Sequence, residues 1–415
     1  MTNRPPIPFS QTPAFLALSR RRLLLGAATA SALPTVWAQT PTPAWGEIEK
    51  AARGQTVYWN AWAGSEQTNA YLQWVAAEVQ KAHGVKLEHV KITDTADVVK
   101  RVRAEKTAGR KDTEGTVDLV WINGENFAAM KRDGLLFGPW AEALPNFRYV
   151  DVVGKPTTRN DFSVPTEGME SPWGMAQFTL FADGKRLPQP PQSMAELLAL
   201  ARSQPGRISY PRLPDFTGTT FVKQALIEHV SDVAVLAKPP VQAAFAQQTA
   251  GLWQFLDALH PHLWRGGKQF PQNPAAIRQM MADGELLLAL TFNPNEPANE
   301  VAAKRLPTST VAWQFAKGTI GNTHFVAIPY NARAKAGAQV IANFLLSAQA
   351  QARKADIAHW GDPTVLDLAR LPAAERALFP VKPLPGQVAK IAPTLPEPHA
   401  AWVEPLEKEW TRRYA

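Results

Sequence analysis

The sequence predicts an α/β protein of two or three lobes, on three observations. Residues 55–134 run strand, helix, strand, helix, strand, helix, which is the arithmetic of βαβ units. Val117-Asp-Leu-Val-Trp-Ile122 is a near-continuous apolar run of the kind that a parallel sheet buries on both faces. The chain's 415 residues, 45% hydrophobic and 19% charged, supply more core than one compact domain takes up.

The chain opens on a targeting pattern. Ser19-Arg20-Arg21-Arg22-Leu23-Leu-Leu-Gly26 leads into a short apolar stretch and then Val36-Trp-Ala38-Gln39, small residues at the two positions a signal peptidase reads. Residues 1–38 are therefore expected to be cleaved near Ala38. The Ser-Arg-Arg-x-Leu-Leu order resembles a twin-arginine signal, whose passengers cross the membrane folded, and it points to a bacterial periplasm. This apolar stretch, like every later one, is shorter than the ~20 residues that span a bilayer. Residues 39–53 form a spacer with Thr40-Pro-Thr-Pro43 and a short helix near Trp45 to Ala52.

A strand begins at Gln55 and reaches Tyr58. It is followed by a glycine-punctuated loop carrying Trp59 and Trp62, then a helix with Tyr71, Trp74, Val75, Val79 and Ala82 on one stripe, closed by Gly84. Val85 to Ile92 is the next strand, and Thr93 or Asp94 caps a helix through Val98, Val99 and Val102. The Val117 to Ile122 strand meets Asn123-Gly-Glu-Asn126 at the head of a third helix that ends at Gly134. Residues 141–166 read as irregular.

Ser171 to Ala182 reads as one strand that enters a second lobe. Ser193 caps a helix from Met194 to Arg202, Arg207 to Tyr210 is a short strand, and Asp215-Phe-Thr-Gly-Thr-Thr220 opens a helix through Val230. Helices follow over 242–260 and 275–283, then a buried strand over 285–290 that runs into Thr291-Phe-Asn-Pro-Asn-Glu296, a crossing between lobes. Thr319 to Ile328 is a strand and Ala336 to Leu346 a helix. Prolines 372, 380, 383 and 385 leave little regular structure before Trp402 to Trp410.

Composition narrows the chemistry. No cysteine is present, which excludes disulfides, thiol nucleophiles, thiolate metal sites and a lipid-anchor cysteine. The formal charge is +8, but Arg4, Arg20, Arg21 and Arg22 stand in residues 1–38 with no acid, leaving +4 for the rest. Bases and acids interleave there, so the charge does not point to nucleic acid. A fixed repeat is absent, as are a Gly-x-Ser-x-Gly elbow, a phosphate loop and a dinucleotide fingerprint. His83 with His89, and His260 with His262, lack metal-ligand spacing, so neither metal nor cofactor is expected.

Several segments together resemble family 1 extracellular solute-binding proteins of ABC importers. They are Thr56-Val-Tyr-Trp-Asn-Ala-Trp62, Val117-Asp-Leu-Val120, Met130-Lys-Arg-Asp-Gly-Leu-Leu136, Trp173-Gly174, His324-Phe-Val-Ala-Ile-Pro-Tyr-Asn-Ala332 and Ala342 to Gln351. The resemblance spans roughly residues 54–355 and is nearest to the polyamine, thiamine and iron-binding branch and its YnjB-like group. It implies a two-lobed type II periplasmic-binding-protein fold, each lobe a doubly wound sheet flanked by helices. The lobes would be joined by crossing hinge strands around a ligand cleft. Lobe one would be 54–172 with 293–348, and lobe two 173–292 with 349–415. The partners implied are a small solute and the permease and ATPase subunits of an importer, met by a monomer. Iron binders of this kind cluster tyrosines, whereas this chain has six and no Tyr-Tyr pair.

The site residues follow from where open α/β sheets bind, the loops at the carboxyl ends of strands. Trp59, Trp62 and Ser65 form one candidate wall, with indole faces for a ring or a cation. Asn123, Glu125 and Asn126 follow the apolar strand, where a carboxylate complements a cation; the same positions also suit a helix cap and a first-turn acid. Trp173, Tyr210, Asp215, Phe216 and Thr217 form the opposite wall, with Phe292, Asn293 and Asn295 at the crossing. The hydroxyl-rich helix head at Asp215 equally suits an anion or phosphate ester. The reading is thus a solute-binding protein for a small polar ligand, cationic or aromatic nitrogenous, thiamine-like or polyamine-like, with a thiamine phosphate meeting both demands. The rival is a secreted hydrolase using scattered acids such as Glu66 and Glu125.

Overall fold

A computed structural model describes residues 44–379, 384–390 and 392–415. The twin-arginine pattern and the cleavage site at Ala38 lie outside them. In chain order the first elements are α1 (Trp45–Ala52), β1 (Thr56–Trp62), α2 (Glu66–His83), β2 (Lys86–Ile92), α3 (Thr95–Thr107), β3 (Leu119–Ile122) and α4 (Gly124–Arg132). The short hairpin β4 (Asn160–Asp161) and β5 (Val164–Pro165) precedes β6 (Glu170–Gln177) and β7 (Thr179–Asp183). Next come α5 (Met194–Ser203), α6 (Phe216–His229), α7 (Gln242–Leu259), α8 (Pro274–Ala282), β8 (Leu288–Thr291), α9 (Glu296–Ala302), β9 (Thr310–Trp313) and β10 (Thr319–Ala327). The chain ends with α10 (Lys335–Leu345), α11 (Ala348–Ala355), α12 (Ala373–Arg376), β11 (Thr394–Leu395) and α13 (Val403–Tyr414). No helix among the described residues is long and apolar enough to cross a membrane.

Local chemistry sets the helix ends. Ser65 caps α2 by accepting from the Thr68 N–H, and Gly84 closes it in the left-handed region at φ 67°. Asp94 caps α3 and Ser193 caps α5 in the same manner.

The first sheet holds β1, β2 and β3 in parallel, with β10 antiparallel to β3 and β6 antiparallel to β10. The second is three-stranded and antiparallel, ordered β8-β7-β9. Ser171 to Ala182 is therefore two strands in two sheets, turning at Phe178, whose N–H donates to Ile320 O. The chain returns not at 291–296 but at 314–318, because β9 completes the second sheet before β10 enters the first. Arg207 to Tyr210 pairs with no strand. Separate apolar clusters sit around the two sheets, one through Val57, Tyr71, Val75 and Ile341, the other through Leu180, Phe221, Leu252 and Leu290.

The C-terminal segment was expected to be mostly irregular, yet it ties both sheets together. β11 runs parallel to the start of β10, and α13 buries Leu406 and Trp410 in the second cluster.

Candidate functional site

β1 continues through both tryptophans, so they are strand residues rather than loop residues. Val57, Trp59, Asn60 and Ala61 are buried in mid-strand, while Tyr58 and Trp62 are exposed, Trp62 as the last residue of the strand. Trp59 is fully buried, edge-on to Trp173 at 5.5 Å, and Trp173 is buried too. Neither is presented to a ligand. Trp62 is 43% exposed and lies over Gly64, where any Cβ would meet its ring at 2.2 Å. Its edge meets Trp121 at 6.4 Å, and Trp121 in turn packs on His324 at 5.2 Å and Trp360 at 6.1 Å. These rings form an aromatic shelf at the carboxyl edge of the parallel strands.

Beneath the shelf is a buried ionic group. Lys354 Nζ lies 2.5 Å from Asp362 Oδ2, and His324 Nε2 lies 3.0 Å from Asp362 Oδ1. Burial raises the Asp362 carboxyl, but Lys354 and His324 outweigh it and hold it below the usual range. Gly174 is needed there, since a Cβ would come within 2.2 Å of that carboxylate.

At the same edge α4 begins. Gly124 sits at φ 52° against the Phe162 ring, with no room for a Cβ, and its N–H donates to Asp161 Oδ2 at 2.6 Å. Asn126 is buried, whereas Asn123 and Glu125 keep solvent-accessible surface. Enough protein surrounds the Glu125 carboxyl that desolvation raises its pKa, opposed by its own backbone N–H and Lys223 and reinforced by Glu397 and Asp94. Glu407 of α13 belongs to the same group: burial, with Glu125 and Asp94 adding to it, lifts its pKa to about 7 against the lowering bond from Thr219 Oγ1 at 2.7 Å. Lys223 of α6 is fully buried, 2.5 Å from Glu397 and 4.2 Å over the Phe162 ring. Glu397 also accepts from Asn322 at 3.3 Å, and Ser163 Oγ donates to the Glu397 carbonyl at 2.7 Å.

The remaining predicted residues divide plainly. Ser65 is a helix cap, and Tyr210 is core: buried, stacked on Phe221 at 4.3 Å, and bonded to His260 and Trp410 at 2.7 Å each. Asp215 Oδ1 accepts from Thr217 N at 2.9 Å and Gly218 N at 3.1 Å, so the α6 head serves its own carboxylate and is not open to an anion. Thr217 is buried; Phe216 is 36% exposed and meets Phe292 at 5.1 Å. Asn293 and Asn295 donate to Trp360 O and Gly361 O at 3.3 and 2.6 Å, pinning the loop that carries Trp360. The structure thus gathers Trp62, Asn123 and Glu125 at the sheet edge, and it adds Trp121, His324, Lys223, Glu397 and Glu407. Only Trp121 and His324 lay within segments already singled out; the others come from α6 and the C-terminal segment, with no local motif. No group of three or more His, Asp or Glu side chains among the described residues is placed to hold a metal.

Residues 74–376 match the family model described as bacterial extracellular solute-binding protein. Protein YnjB of Escherichia coli strain K12 is 50% identical over 370 residues, covering 89% of this chain and 94% of that protein. Among solved structures, the periplasmic binding protein AfuA of Actinobacillus pleuropneumoniae, with fructose-6-phosphate bound, superposes with a TM-score of 0.60 at 15% identity, over 87% of this chain and 99% of that one. The spermidine/putrescine-binding PotD of Streptococcus pneumoniae gives 0.59 at 11% identity, over 86% and 98%. The ferric ion-binding protein A of Pasteurella haemolytica gives 0.60 at 14% identity, over 86% and 97%. The fold is that of type II periplasmic binding proteins.

Proposed function

The chain belongs to the bacterial extracellular solute-binding protein family of ABC transporters, and from that premise we propose that it captures a small cationic solute at the sheet edge and delivers it to a membrane permease. One observation carries the choice of charge. Three devices near that edge that would suit an anion are spent on carboxylates of the chain itself. Lys223 holds Glu397, the α6 head holds Asp215, and the α4 head holds Asp161. Glu125, in the first turn of α4 after β3, is left without an ion pair among the described residues, and Trp62 is exposed at the end of the neighbouring parallel strand β1. A cation gains both the carboxylate and the indole face, the latter worth about 0.5 to 2 kcal/mol. The phosphate half of a thiamine phosphate finds none of these three free, so a polyamine or the unphosphorylated thiamine-like cation fits better.

Capture in the periplasm, export through the twin-arginine leader, cleavage at Ala38 and action as a monomer complete this reading. The family's members bind and deliver, which favours capture over hydrolysis. The test is a thermal-shift and calorimetric comparison of spermidine, putrescine and thiamine with fructose-6-phosphate and inorganic phosphate. A cation present at about a hundred times its Kd should stabilise by about 2.7 kcal/mol. Stabilisation by the anions alone, or equal cation affinity after Glu125→Gln, would refute the charge assignment.

A further inference from the structure

A second feature lies on the α2 side of the aromatic shelf, where Tyr71 packs on Trp360 at 5.5 Å. A cavity of about 290 Å³ opens between the first turns of α2 and the end of α11, lined by Glu66, Gln67, Tyr71, Arg353 and His359 among others. Its chemistry centres on Arg353. The guanidinium lies 4.8 Å over the Trp74 ring, which fixes its plane. The Arg353 side chain makes no hydrogen bond or ion pair with any described residue, and its Nε is shut off from solvent without a partner. The residues outside the described set, 1–43, 380–383 and 391, contain no Asp or Glu, so none of them supplies the missing carboxylate.

A guanidinium carries five N–H donors in a fixed fork. Desolvating one of them without a bond costs free energy that a surface arginine avoids by staying in water. Tyr71 does not relieve this, because its hydroxyl donates to Ala350 O at 3.1 Å. His359 pairs only distantly with Asp356, at 3.9 Å, and is free to add a second donor. We propose that this cavity is a second binding site, specific for the carboxylate group of a small organic acid, with Arg353 as the fork that receives it. Glu66 on the facing side sets the sign of the selectivity: it weakens binding of dianions and leaves room for a monocarboxylate.

The test uses the full chain, titrated with sodium acetate and sodium succinate at constant ionic strength, with phenylglyoxal modification of Arg353 read by peptide mass spectrometry. Acetate should bind saturably and protect Arg353 selectively over the exposed Arg148. Arg353→Gln should weaken acetate about ten- to a hundredfold, the scale of a charge-assisted pair of bonds. Arg353→Lys keeps the charge but loses the fork and should lose most of that affinity while retaining the fold. Glu66→Gln should strengthen succinate more than acetate. Unaltered modification of Arg353 in the presence of acetate, or affinity that survives Arg353→Gln, overturns the proposal. So does affinity abolished by Glu125→Gln and not by Arg353→Gln, which would place the carboxylate at the sheet edge.

Discussion

Replacing Lys223 by methionine isolates the energetics of the segment that ties the two sheets together. The pair it breaks is fully buried, 2.5 Å long, and joins α6 to the C-terminal strand region. Methionine matches the aliphatic stem and keeps contact with Phe162, so the change removes the charge and little volume. Glu397 is then left with Asn322 at 3.3 Å as its one neutral side-chain donor among the described residues. Breaking one half of a buried pair costs about 3 to 5 kcal/mol, because the other charge stays buried without compensation. Spread over the unfolding entropy of a chain this long, roughly 1.3 °C per kcal/mol, that is a fall of about 4 to 6 °C in Tm. Burial already raises the Glu397 pKa, and losing Lys223 raises it further. A carboxyl whose folded pKa lies above its unfolded value stabilises the fold at low pH, and that contribution is lost as pH rises through the folded pKa. The variant's deficit should therefore be smallest near pH 4 and grow toward pH 8. Calorimetry across that range measures it, and Lys223→Met with Glu397→Leu should recover most of the loss. A deficit unchanged by pH, or a double variant no better than the single one, would refute the account.

Other outcomes follow from the same geometry. Trp59→Ala should cost about 3 to 5 kcal/mol by leaving a cavity beside Trp173, while Trp62→Ala should barely move Tm and instead lower cation affinity; chemical denaturation and calorimetry on both variants separate the two roles. The Glu407 carboxyl, with its pKa at about 7, should make stability decline between about pH 4.5 and pH 7. Glu407→Gln should flatten that decline in Tm against pH, and cation affinity in the parent should rise over the same interval. Asp215→Ala should cost about 0.5 to 2 kcal/mol as a lost cap without creating phosphate affinity; phosphate binding gained by this variant would show that the carboxylate had been occupying an anion site.

Much of the fold could be read from residues close together in sequence. The caps at Ser65, Asp94 and Ser193 and the stop at Gly84 depend on three or four neighbours each, and the Val117 to Ile122 run carried its own burial. A strand boundary at Tyr58 is four residues early; with β1 extended to Trp62, Trp59 falls in mid-strand and is buried, while Trp62 is exposed as the last residue of the strand, Asn60 on its face being buried. The site was less legible because its partners are distant. Glu397 meets Lys223 across 174 positions, and nothing local in Pro396-Glu397-Pro398 marks the glutamate as buried. Asp215 showed the opposite problem, since one residue type suits both a cap and a ligand, and only the bonds to Thr217 and Gly218 separate them.

The position of β10 has a consequence for how the protein is made. This strand lies between β3 and β6, yet it is supplied by residues 319–327. Its neighbour β3 leaves the ribosome about two hundred residues earlier, which at translation rates of roughly 5 to 20 residues per second is a wait of about 10 to 40 s. Throughout that wait the edge of β3 is unpaired, an open template for another chain. The Gln55 side chain accepts from Gly337 N and the Tyr71 hydroxyl donates to Ala350 O, so the N-terminal core also closes only late in synthesis. In a nascent chain of this order the first sheet cannot be completed until β10 emerges, so whatever handles the chain before then meets an open edge at β3.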